Sequence, residues 1–421
     1  MSLRDKLRKL RREEGERPPP PPAPEVETLE GASSDAPRGL EDFEGALGPW
    51  QARRTSFDAT HRHGDFGLDE IVHVRGEDFA RLTGDDALAE LDLREAVYLD
   101  TETTGLSGGA GTYVFMVGLG AYRSAADAES EGGDFEVWQG FLPSPAEEAA
   151  LLAECAERIR AASSVVSFFG KSFDRHRLED KMRACGVTPP FDALPHLDLY
   201  HPLRRLYRDA YVDGRLKTLE AELCGLARAD DLPGALAPAA WFDFLAGREH
   251  RLEGVFRHNL DDVLSLVTLA AHLGRTSAES RGDGSALPGD AAARAVGYAR
   301  SAAARGERDL AGEWYERALA RGARPTRGLR LERAHQYRLG KQPEAALAAY
   351  RELADGPEDA CSAPALLELA KLLEHHARDP RAALACCEAA RALLDRQHSG
   401  SDRARLARDL ERRDARLRAR S

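Results

Sequence analysis

The segment YLDTETTGLSGGAGTYVFMVGLG, residues 98–120, places two carboxylates at the end of an apolar strand. Side chains alternate between the two faces of a strand, so Asp100 and Glu102 share one face and Thr101 lies on the other. Two like charges cannot be buried together without compensation. A divalent cation provides it, and oxygen ligands suit Mg²⁺ or Mn²⁺. The alternative is a strand that ends in an acidic surface turn.

The residues that follow the two acids favour a buried strand over a surface turn. Thr104 and Gly105 lead into a glycine-rich bend at 108–111, and a second apolar run covers 113–119. Two apolar runs joined by such a bend are typical of a β-hairpin. We therefore predict a hairpin whose first strand carries Asp100 and Glu102.

Composition limits the classes of protein to consider. The chain has 421 residues, which is room for two or three domains, and its net charge of −12 argues against a large non-specific nucleic-acid surface. A local basic groove remains compatible with that charge. Six cysteines form no metal-ligand or redox spacing, and we find neither a signal peptide nor an apolar span. We expect a cytoplasmic protein with no membrane span.

The chain divides by composition into four regions. Residues 1–65 are polar and proline-rich and are predicted to be disordered. Residues 66–274 are predicted to form an α/β domain with a motif core at 96–273, a mixed sheet flanked by helices. Its strands are expected at 96–100, 113–122, 135–141 and 164–169, and its helices at 145–161, 173–186, 216–225 and 250–273. Residues 275–292 have the composition of a linker.

Residues 293–421 are predicted to be entirely helical and to contain a repeat. The segments DLAGEWYERAL (309–319), PEAALAAYREL (343–353) and RAALACCEAA (381–390) align so that Tyr315, Tyr350 and Cys387 occupy matching places, 35 and then 37 residues apart. This spacing is close to the 34-residue period of tetratricopeptide repeats. It favours about three helix pairs followed by a basic tail, and the alternative is a generic helical bundle.

Further carboxylates must converge on Asp100 and Glu102 if these two hold metal. One source is Asp174, because 164–169 is a candidate buried strand, Gly170 and Lys171 form a turn, and Ser172 is a candidate helix N-cap. Asp174 then lies in the first helical turn, beside the end of the strand. The alternative is that Asp174 only stabilises the helix dipole.

A second source is the helix that contains HNLDD, residues 258–262. His258 and Asp262 are four residues apart and share a face, whereas Asp261 is turned by about 100°. We therefore predict that Asp262 is a metal ligand and that His258 is its neighbour, with a surface ion pair as the alternative. Asp198 is a fifth candidate that caps or orients rather than ligates.

These motifs together resemble a known family. Asp100, Glu102, Asp174 and Asp262 resemble the four acids of the DEDD exonucleases in the DnaQ-like, ribonuclease H-like superfamily. Five segments in this order look like the YprB-type ribonuclease H-like family: DTETTGLSGGAGTYVFMVGLG (100–120), FFGKSFDRHRLED (168–180), HLDLYHPLRRLY (196–207), GRLKTLEAELCGL (214–226) and HNLDDVLSLVTL (258–269). The resemblance covers about residues 90–275.

The resemblance implies a metal-dependent nuclease, most simply a 3′→5′ exonuclease acting on DNA or RNA. It implies that Asp100, Glu102, Asp174 and Asp262 hold two Mg²⁺ or Mn²⁺ ions about 4 Å apart. His258 would orient or deprotonate the attacking water, a role that suits a side chain titrating near neutral pH.

Other residues of the motifs would contact the substrate. Thr103, Thr104 and Gly105 follow the first pair of acids, and Lys171 and Lys217 are placed to contact phosphate. For the two lysines, an ordinary solvated surface position is an equally good interpretation.

This sequence departs from the superfamily pattern in two places. The superfamily carries a tyrosine four residues before the last aspartate or a histidine five residues before it, whereas His258 stands at the tyrosine spacing. Phe169 precedes Gly170 where an asparagine is frequent, which affects how the terminal nucleotide is held.

Two other functions remain open from sequence. A structure-dependent endonuclease would use the same fold and the same acids. A catalytically inert scaffold would use the helical repeats, whose stacked pairs form a concave surface suited to peptides. We expect a protein partner, rather than nucleic acid, on those repeats.

Overall fold

The computed structural model describes residues 32–105, 111–123, 134–208, 210–229, 231–281, 291–397 and 400–419. Several sequence predictions fall outside these ranges. They are the character of residues 1–31, most of the glycine-rich bend at 108–111, and residues 282–290 of the predicted linker.

A seven-stranded mixed sheet forms the centre of the first domain, as predicted. In chain order the strands are β1 (Glu41–Gly45), β2 (Gly48–Phe57), β3 (Arg62–His63), β4 (Phe66–Gly67), β5 (Ala96–Thr103), β6 (Val114–Tyr122), β7 (Phe135–Phe141), β8 (Ser164–Ser167) and β9 (His196–Asp198). The sheet has the order β1-β2-β7-β6-β5-β8-β9, while β3 and β4 form a separate hairpin. Strand β5 pairs antiparallel with β6 and parallel with β8, so it lies where the two halves of the sheet meet.

Helices cover the sheet, and further helices follow the sheet domain in the chain. They are α1 (Gly76–Thr83), α2 (Glu148–Arg160), α3 (Asp174–Ala184), α4 (Tyr200–Tyr207), α5 (Leu216–Cys224), α6 (Ala237–Leu245), α7 (Leu252–Arg281), α8 (Ala291–Arg305), α9 (Arg308–Ala320), α10 (Arg327–Leu339), α11 (Pro343–Ala354), α12 (Ser362–Leu372), α13 (Pro380–Gln397) and α14 (Gly400–Arg418). None of these described helices is long and apolar enough to cross a membrane.

Successive side chains of β5 face two different hydrophobic cores. Ala96 and Tyr98 face the core that contains the middle of α7, whereas Val97 and Leu99 face the core that contains α2. Asp100 continues the face of Tyr98, because successive side chains of a strand point to opposite sides. The strand therefore delivers its carboxylates to the side covered by α7.

The prediction that residues 1–65 are disordered is wrong for residues 41–57. These residues form β1 and β2, and β2 pairs along its length with β7. Trp50 and Ala52 are buried, and the Trp50 ring lies 4.2 Å from Phe43 and 5.9 Å from Trp138, centroid to centroid. The polar composition belongs to an edge hairpin, which needs few buried side chains because one face of it is solvated.

The predicted linker is also shorter than residues 275–292. Helix α7 extends to Arg281 and α8 begins at Ala291. Polar side chains within 275–281 are compatible with a buried helix because they find partners: the Ser277 hydroxyl donates to Asp78, and the Thr276 carbonyl accepts from the Tyr298 hydroxyl.

The run of helices that follows is consistent with the predicted helical domain, but the first pair is not separate from the sheet domain. Tyr298 of α8 and Trp314 of α9 belong to the same core as Leu206 and Tyr207 of α4. A third core begins in α10 and extends through α14. The predicted boundary at 293 is therefore wrong as a packing boundary, which lies near α10.

The positions aligned in the predicted repeat are equivalent in the structure. Tyr315, Tyr350 and Cys387 are all buried, and they lie on α9, α11 and α13 respectively. These are alternate helices of the run, as expected if each repeat is a helix pair. Assignment to the tetratricopeptide class stays a prediction.

Candidate active site

Asp100 reaches α7 because β6 carries a glycine opposite it. Asp100 pairs with Gly118, and a Cβ atom at Gly118 would lie 2.4 Å from the side-chain oxygen of Asn259. Without that atom α7 packs closely against the sheet, and the Asn259 amide donates to Asp100 Oδ2 at 2.8 Å. The ladder between β5 and β6 then shifts register between Glu102 and Thr103.

Asp174 begins α3, close to the end of the central strands. It is buried, and its carboxylate accepts a hydrogen bond from the Thr101 hydroxyl. A Cβ atom at Gly170 would lie 2.4 Å from Ser167 Oγ and 3.1 Å from Asp174 Oδ2, so the turn packs tightly against this aspartate. Thr101, on the strand face opposite Asp100, thus connects β5 to Asp174.

We call Asp100, Glu102 and Asp174 the acid triad. Burial raises the pKa of Asp100 well above its usual range, and repulsion from Asp262, Asp174 and Glu102 raises it further. Burial and the same kind of repulsion also raise the pKa of Glu102. Burial raises the pKa of Asp174 to about 6, although the hydrogen bond from Thr101 opposes the shift.

Cations are absent from the immediate surroundings of the acid triad. Among the described residues, no lysine, arginine or histidine lies within 4.0 Å of these three carboxylates. The nearest donors are the neutral groups of Asn259 and Thr101. The triad therefore carries negative charge that the protein itself does not balance.

Asp262 has a different environment. Its Oδ1 lies 2.5 Å from a guanidinium nitrogen of Arg228, and the same nitrogen lies 2.6 Å from Glu220 Oε2. The Arg228 side chain is only 2% exposed. Burial alone would lower the pKa of Arg228, but the ion pairs with Asp262 and Glu220 outweigh it and raise that pKa. Burial raises the pKa of Glu220 despite this partner.

His258 lies between two aspartates. Its Nδ1 is 2.7 Å from Asp231 Oδ1, and its Nε2 is 3.6 Å from Asp262 Oδ2. The predicted proximity of His258 and Asp262 on one helix face is therefore observed. Burial would raise the pKa of Asp231, but hydrogen bonds from His258 and Lys217 hold it below its usual range. We call Arg228, Glu220, Asp231, His258 and Asp262 the Arg228 network.

Thr103 and Thr104, two of the predicted substrate-contacting residues, form hydrogen bonds within the protein. The Thr104 hydroxyl accepts from the Tyr113 amide at 2.9 Å, which closes the hairpin, and the Thr103 hydroxyl donates to the Gly105 carbonyl at 3.3 Å. Their contact with substrate stays a prediction.

The two predicted phosphate-binding lysines each form an ion pair with an aspartate. Lys171 Nζ is 3.7 Å from Asp85 Oδ2, and Lys217 Nζ is 2.9 Å from Asp231 Oδ2. Lys217 is thus connected through Asp231 to His258. A phosphate contact for either lysine stays a prediction.

Asp198 orients the turn next to the acid triad. Its carboxylate accepts from the backbone amides of Phe169, Lys171 and Tyr200 at 2.8, 3.2 and 3.1 Å. These bonds fit the expectation that Asp198 caps and orients. Phe169 adopts a left-handed backbone with φ of 61°, and its side chain is 44% exposed.

The predicted quartet of Asp100, Glu102, Asp174 and Asp262 interacts electrostatically but is not a preformed metal cage. Among the described residues, no group of three or more histidine, cysteine, aspartate or glutamate side chains is arranged to hold a metal ion. The donor chemistry of the triad nevertheless fits Mg²⁺ or Mn²⁺, since hard carboxylate oxygens prefer these ions and a cation relieves the repulsion. The metal-ligand assignment stays a prediction.

Sequence reasoning missed five residues that shape this site. Asn259 follows His258 in the quoted motif HNLDD, so that motif could have indicated Asn259 as a site residue. Thr101 lies between the two acids of β5. Glu220 lies in the quoted segment GRLKTLEAELCGL (214–226) but was not singled out. Arg228 and Asp231 come from the loop after it, which has no motif of its own, and only the three-dimensional structure brings these residues to α7.

Comparisons with known proteins agree with this architecture. A family model described as RNase_H superfamily matches residues 97–274, a range that contains the acid triad and the Arg228 network. Over 346 residues the chain is 30% identical to a Bacillus subtilis (strain 168) protein named "Uncharacterized protein YprB", and the match covers 80% of this chain and 79% of that protein.

The chain belongs to the YprB family. Residues 97–274 form an RNase H-like superfamily domain, and members of that superfamily are generally nucleic-acid hydrolases. Because the similarity to YprB spans more residues than the superfamily domain, it also includes sequence outside that domain. In this chain the sequence outside that domain includes the helices beyond the sheet domain.

Proposed function

We propose that this YprB-family protein is a metal-dependent phosphodiesterase that removes nucleotides from the 3′ ends of DNA or RNA. The observation that supports the proposal is the acid triad: its three carboxylates lie at the end of β5 and the start of α3, they repel one another, and among the described residues their hydrogen-bond donors are neutral groups. Structural ion pairs are built with both charges present, whereas a cation-binding site leaves the positive charge to the ion.

The proposed ligands for two Mg²⁺ or Mn²⁺ ions are Asp100, Glu102, Asp174 and Asp262. Such ions would supply Lewis-acid activation of the phosphodiester and of water when bound. The protein fixes three of these carboxylates through neighbouring groups: Asn259 orients Asp100, Thr101 orients Asp174, and Arg228 orients Asp262.

His258 is proposed to accept the proton of the attacking water. With Nδ1 donating to Asp231, the lone pair of the ring lies on Nε2, the nitrogen on the Asp262 side. Asp231 thus holds both the orientation and the tautomer of the ring. A histidine base at this spacing takes the place of the tyrosine found in part of the superfamily.

The test is hydrolysis by purified protein of matched linear and circular single-stranded DNA and RNA with Mn²⁺. We expect a ladder from linear, 5′-labelled strands, no cutting of circles, and no product in EDTA. Cleavage of circular strands would assign endonuclease activity to the protein instead of exonuclease activity. A complete lack of turnover on every substrate with either metal would overturn the proposal.

Two further predictions accompany this function. The six free cysteines are compatible with the predicted cytoplasmic location. The predicted protein partner of the helical repeats would bind α10–α14, which have their own hydrophobic core.

A further inference from the structure

A basic cleft lies where the sheet domain meets the first helix pair. It has a volume of about 550 Å³ and is lined from one side by Arg204 and Arg205 of α4 and by Arg208, which follows that helix, and from the other side by Arg300 of α8. Among the described residues that line the cleft, Glu332 is the one acidic residue. The cleft is therefore locally basic although the whole chain has a net charge of −12.

Close helix packing gives the cleft a fixed shape. A Cβ atom at Gly297 of α8 would lie 2.6 Å from the Cα atom of Leu206, so the glycine allows α8 to lie directly against α4. Leu203, Leu206 and Tyr207 are buried in the shared core, which turns the arginines of α4 outward. The cleft therefore exists because the two domains pack together.

Neutral groups hold two of the arginines in place. Arg204 donates to the Tyr200 hydroxyl at 2.6 Å, with its guanidinium 5.7 Å from that ring, and Arg205 donates to the Leu82 carbonyl at 2.6 Å. These bonds orient the side chains but leave their charge uncancelled. Arg300 differs because it forms two bonds to Glu332, at 2.8 and 3.1 Å.

Aromatic rings lie between the cleft and the acid triad. The Phe169 ring is 4.9 Å from Tyr200 and 6.5 Å from His201, centroid to centroid, and His201 also lines the cleft. Phe169 immediately precedes Gly170, the glycine that packs against Asp174. Exposed rings next to a positive groove are the combination that binds single strands, because bases stack on the rings and phosphates follow the charge.

We propose that this cleft binds the phosphate backbone of a single-stranded nucleic acid whose 3′ end lies at the acid triad, with an unpaired base stacked on Phe169. The inference rests on the proposed function, since it concerns the same strand. The proposed site selects single strands because a base within a duplex cannot stack on Phe169 without leaving its base pair.

The test measures binding without hydrolysis. Fluorescence anisotropy of a labelled 20-nucleotide single strand is recorded in EDTA over a range of salt concentrations, for wild type and for Arg204→Gln/Arg208→Gln. The matched control is Arg408→Gln/Arg412→Gln, which removes two exposed arginines from α14. We expect the cleft variant alone to bind at least about tenfold more weakly, and its slope of log K against log salt to fall by about 1.4.

Unchanged affinity and slope in a folded cleft variant would overturn the proposal. So would equal losses in both variants, or displacement of the oligonucleotide by polyglutamate at lower concentration than by unlabelled strand, which would assign the cleft to acidic peptides. Phe169→Ala is expected to weaken binding severalfold without changing the salt slope. Hydrolysis of a dinucleotide with Mn²⁺ separates the two proposals, because it needs the triad and does not need the cleft.

Discussion

The acid triad and the Arg228 network are built from the same carboxylate chemistry and are stabilised in opposite ways. Among the described residues, Asp100 and Asp174 of the triad have only neutral protein donors, and burial together with repulsion from neighbouring carboxylates raises their pKa values. In the network, Arg228 contacts Asp262 and Glu220, and hydrogen bonds from His258 and Lys217 hold the pKa of Asp231 low.

The site therefore has two parts, and we expect them to have different roles. The Arg228 network contains its own cation, so we expect it to be assembled whether or not metal is bound. Burial and repulsion destabilise the ionised triad, and we propose that a bound cation relieves this. The predictions below test this division, from the largest expected effect to the smallest.

Asp100→Asn is expected to reduce the rate of hydrolysis by at least about 10³-fold, because it removes an anionic ligand while keeping the size of the side chain. The measurement is single-turnover cleavage of a 5′-labelled strand with Mn²⁺. Asp261→Asn is the control, since that carboxylate is turned away from Asp262 along the helix. Residual activity within tenfold of wild type for Asp100→Asn would remove the triad from the mechanism.

Arg228→Met is expected to lower the free energy of unfolding by about 3–5 kcal/mol, because Glu220 and Asp262 lose a buried partner. Urea unfolding measures it in EDTA. Adding Glu220→Gln to Arg228→Met should recover part of the loss, since the uncompensated buried charge is removed. Arg248→Met is the control, because its pair with Asp243 is at the surface and is worth at most about 1 kcal/mol. A loss below 1 kcal/mol for Arg228→Met would contradict the division.

Asp174→Asn is expected to stabilise the metal-free protein by about 1–3 kcal/mol near pH 8 and not at pH 3.5. Burial raises the pKa of Asp174 to about 6 from its ordinary value of 3.8, so the folded state holds this proton more tightly than the unfolded state does. Its contribution to stability is therefore favourable at low pH and is lost as pH rises from 3.8 through 6.

The measurement is urea unfolding of wild type and variant in EDTA across that range of pH. The hydrogen bond from Thr101 is weaker to an amide oxygen than to a carboxylate, which sets the lower end of the expected gain. Asp180→Asn, an exposed change on the same helix, should show no such pH dependence. A variant less stable than wild type at pH 8 would mean that the triad is not strained.

Thr101→Val should have the smallest effect, a loss of activity of about three- to tenfold at pH 6 that shrinks at pH 8. The hydroxyl lowers the pKa of Asp174 by donating to it, so its removal raises that pKa and moves the acid limb of the pH–rate profile upward. Thr83→Val is the control, since its hydroxyl donates to a helix carbonyl elsewhere. A uniform loss at all pH values would indicate a packing effect instead.

The sequence predicted the parts of the fold and site that follow from local periodicity. Strand alternation put Asp100 and Glu102 on one face, and helical spacing put His258 beside Asp262, which the 3.6 Å separation of their side chains bears out. Composition alone was misleading at 41–57, where an edge hairpin has few apolar residues, and at 275–281, where buried polar residues continue a helix.

Arg228 and Asp231 were not predictable because their roles depend on contacts distant in sequence. Each comes from an irregular loop after α5 and meets α7 more than 25 positions later in the chain. Nothing in the local pattern of LARADDL (226–232) indicates a buried arginine. The basic cleft was likewise invisible, because it arises only where α4 and α8 pack together.

The most direct measurement is an anomalous difference map from crystals soaked in Mn²⁺. The account predicts a manganese peak at the oxygens of Asp100, Glu102 and Asp174, at roughly 2.0–2.3 Å from each ligating oxygen. It also predicts that Arg228 stays paired with Glu220 in the soaked crystal. Strong manganese peaks elsewhere with none at these three carboxylates would contradict the account.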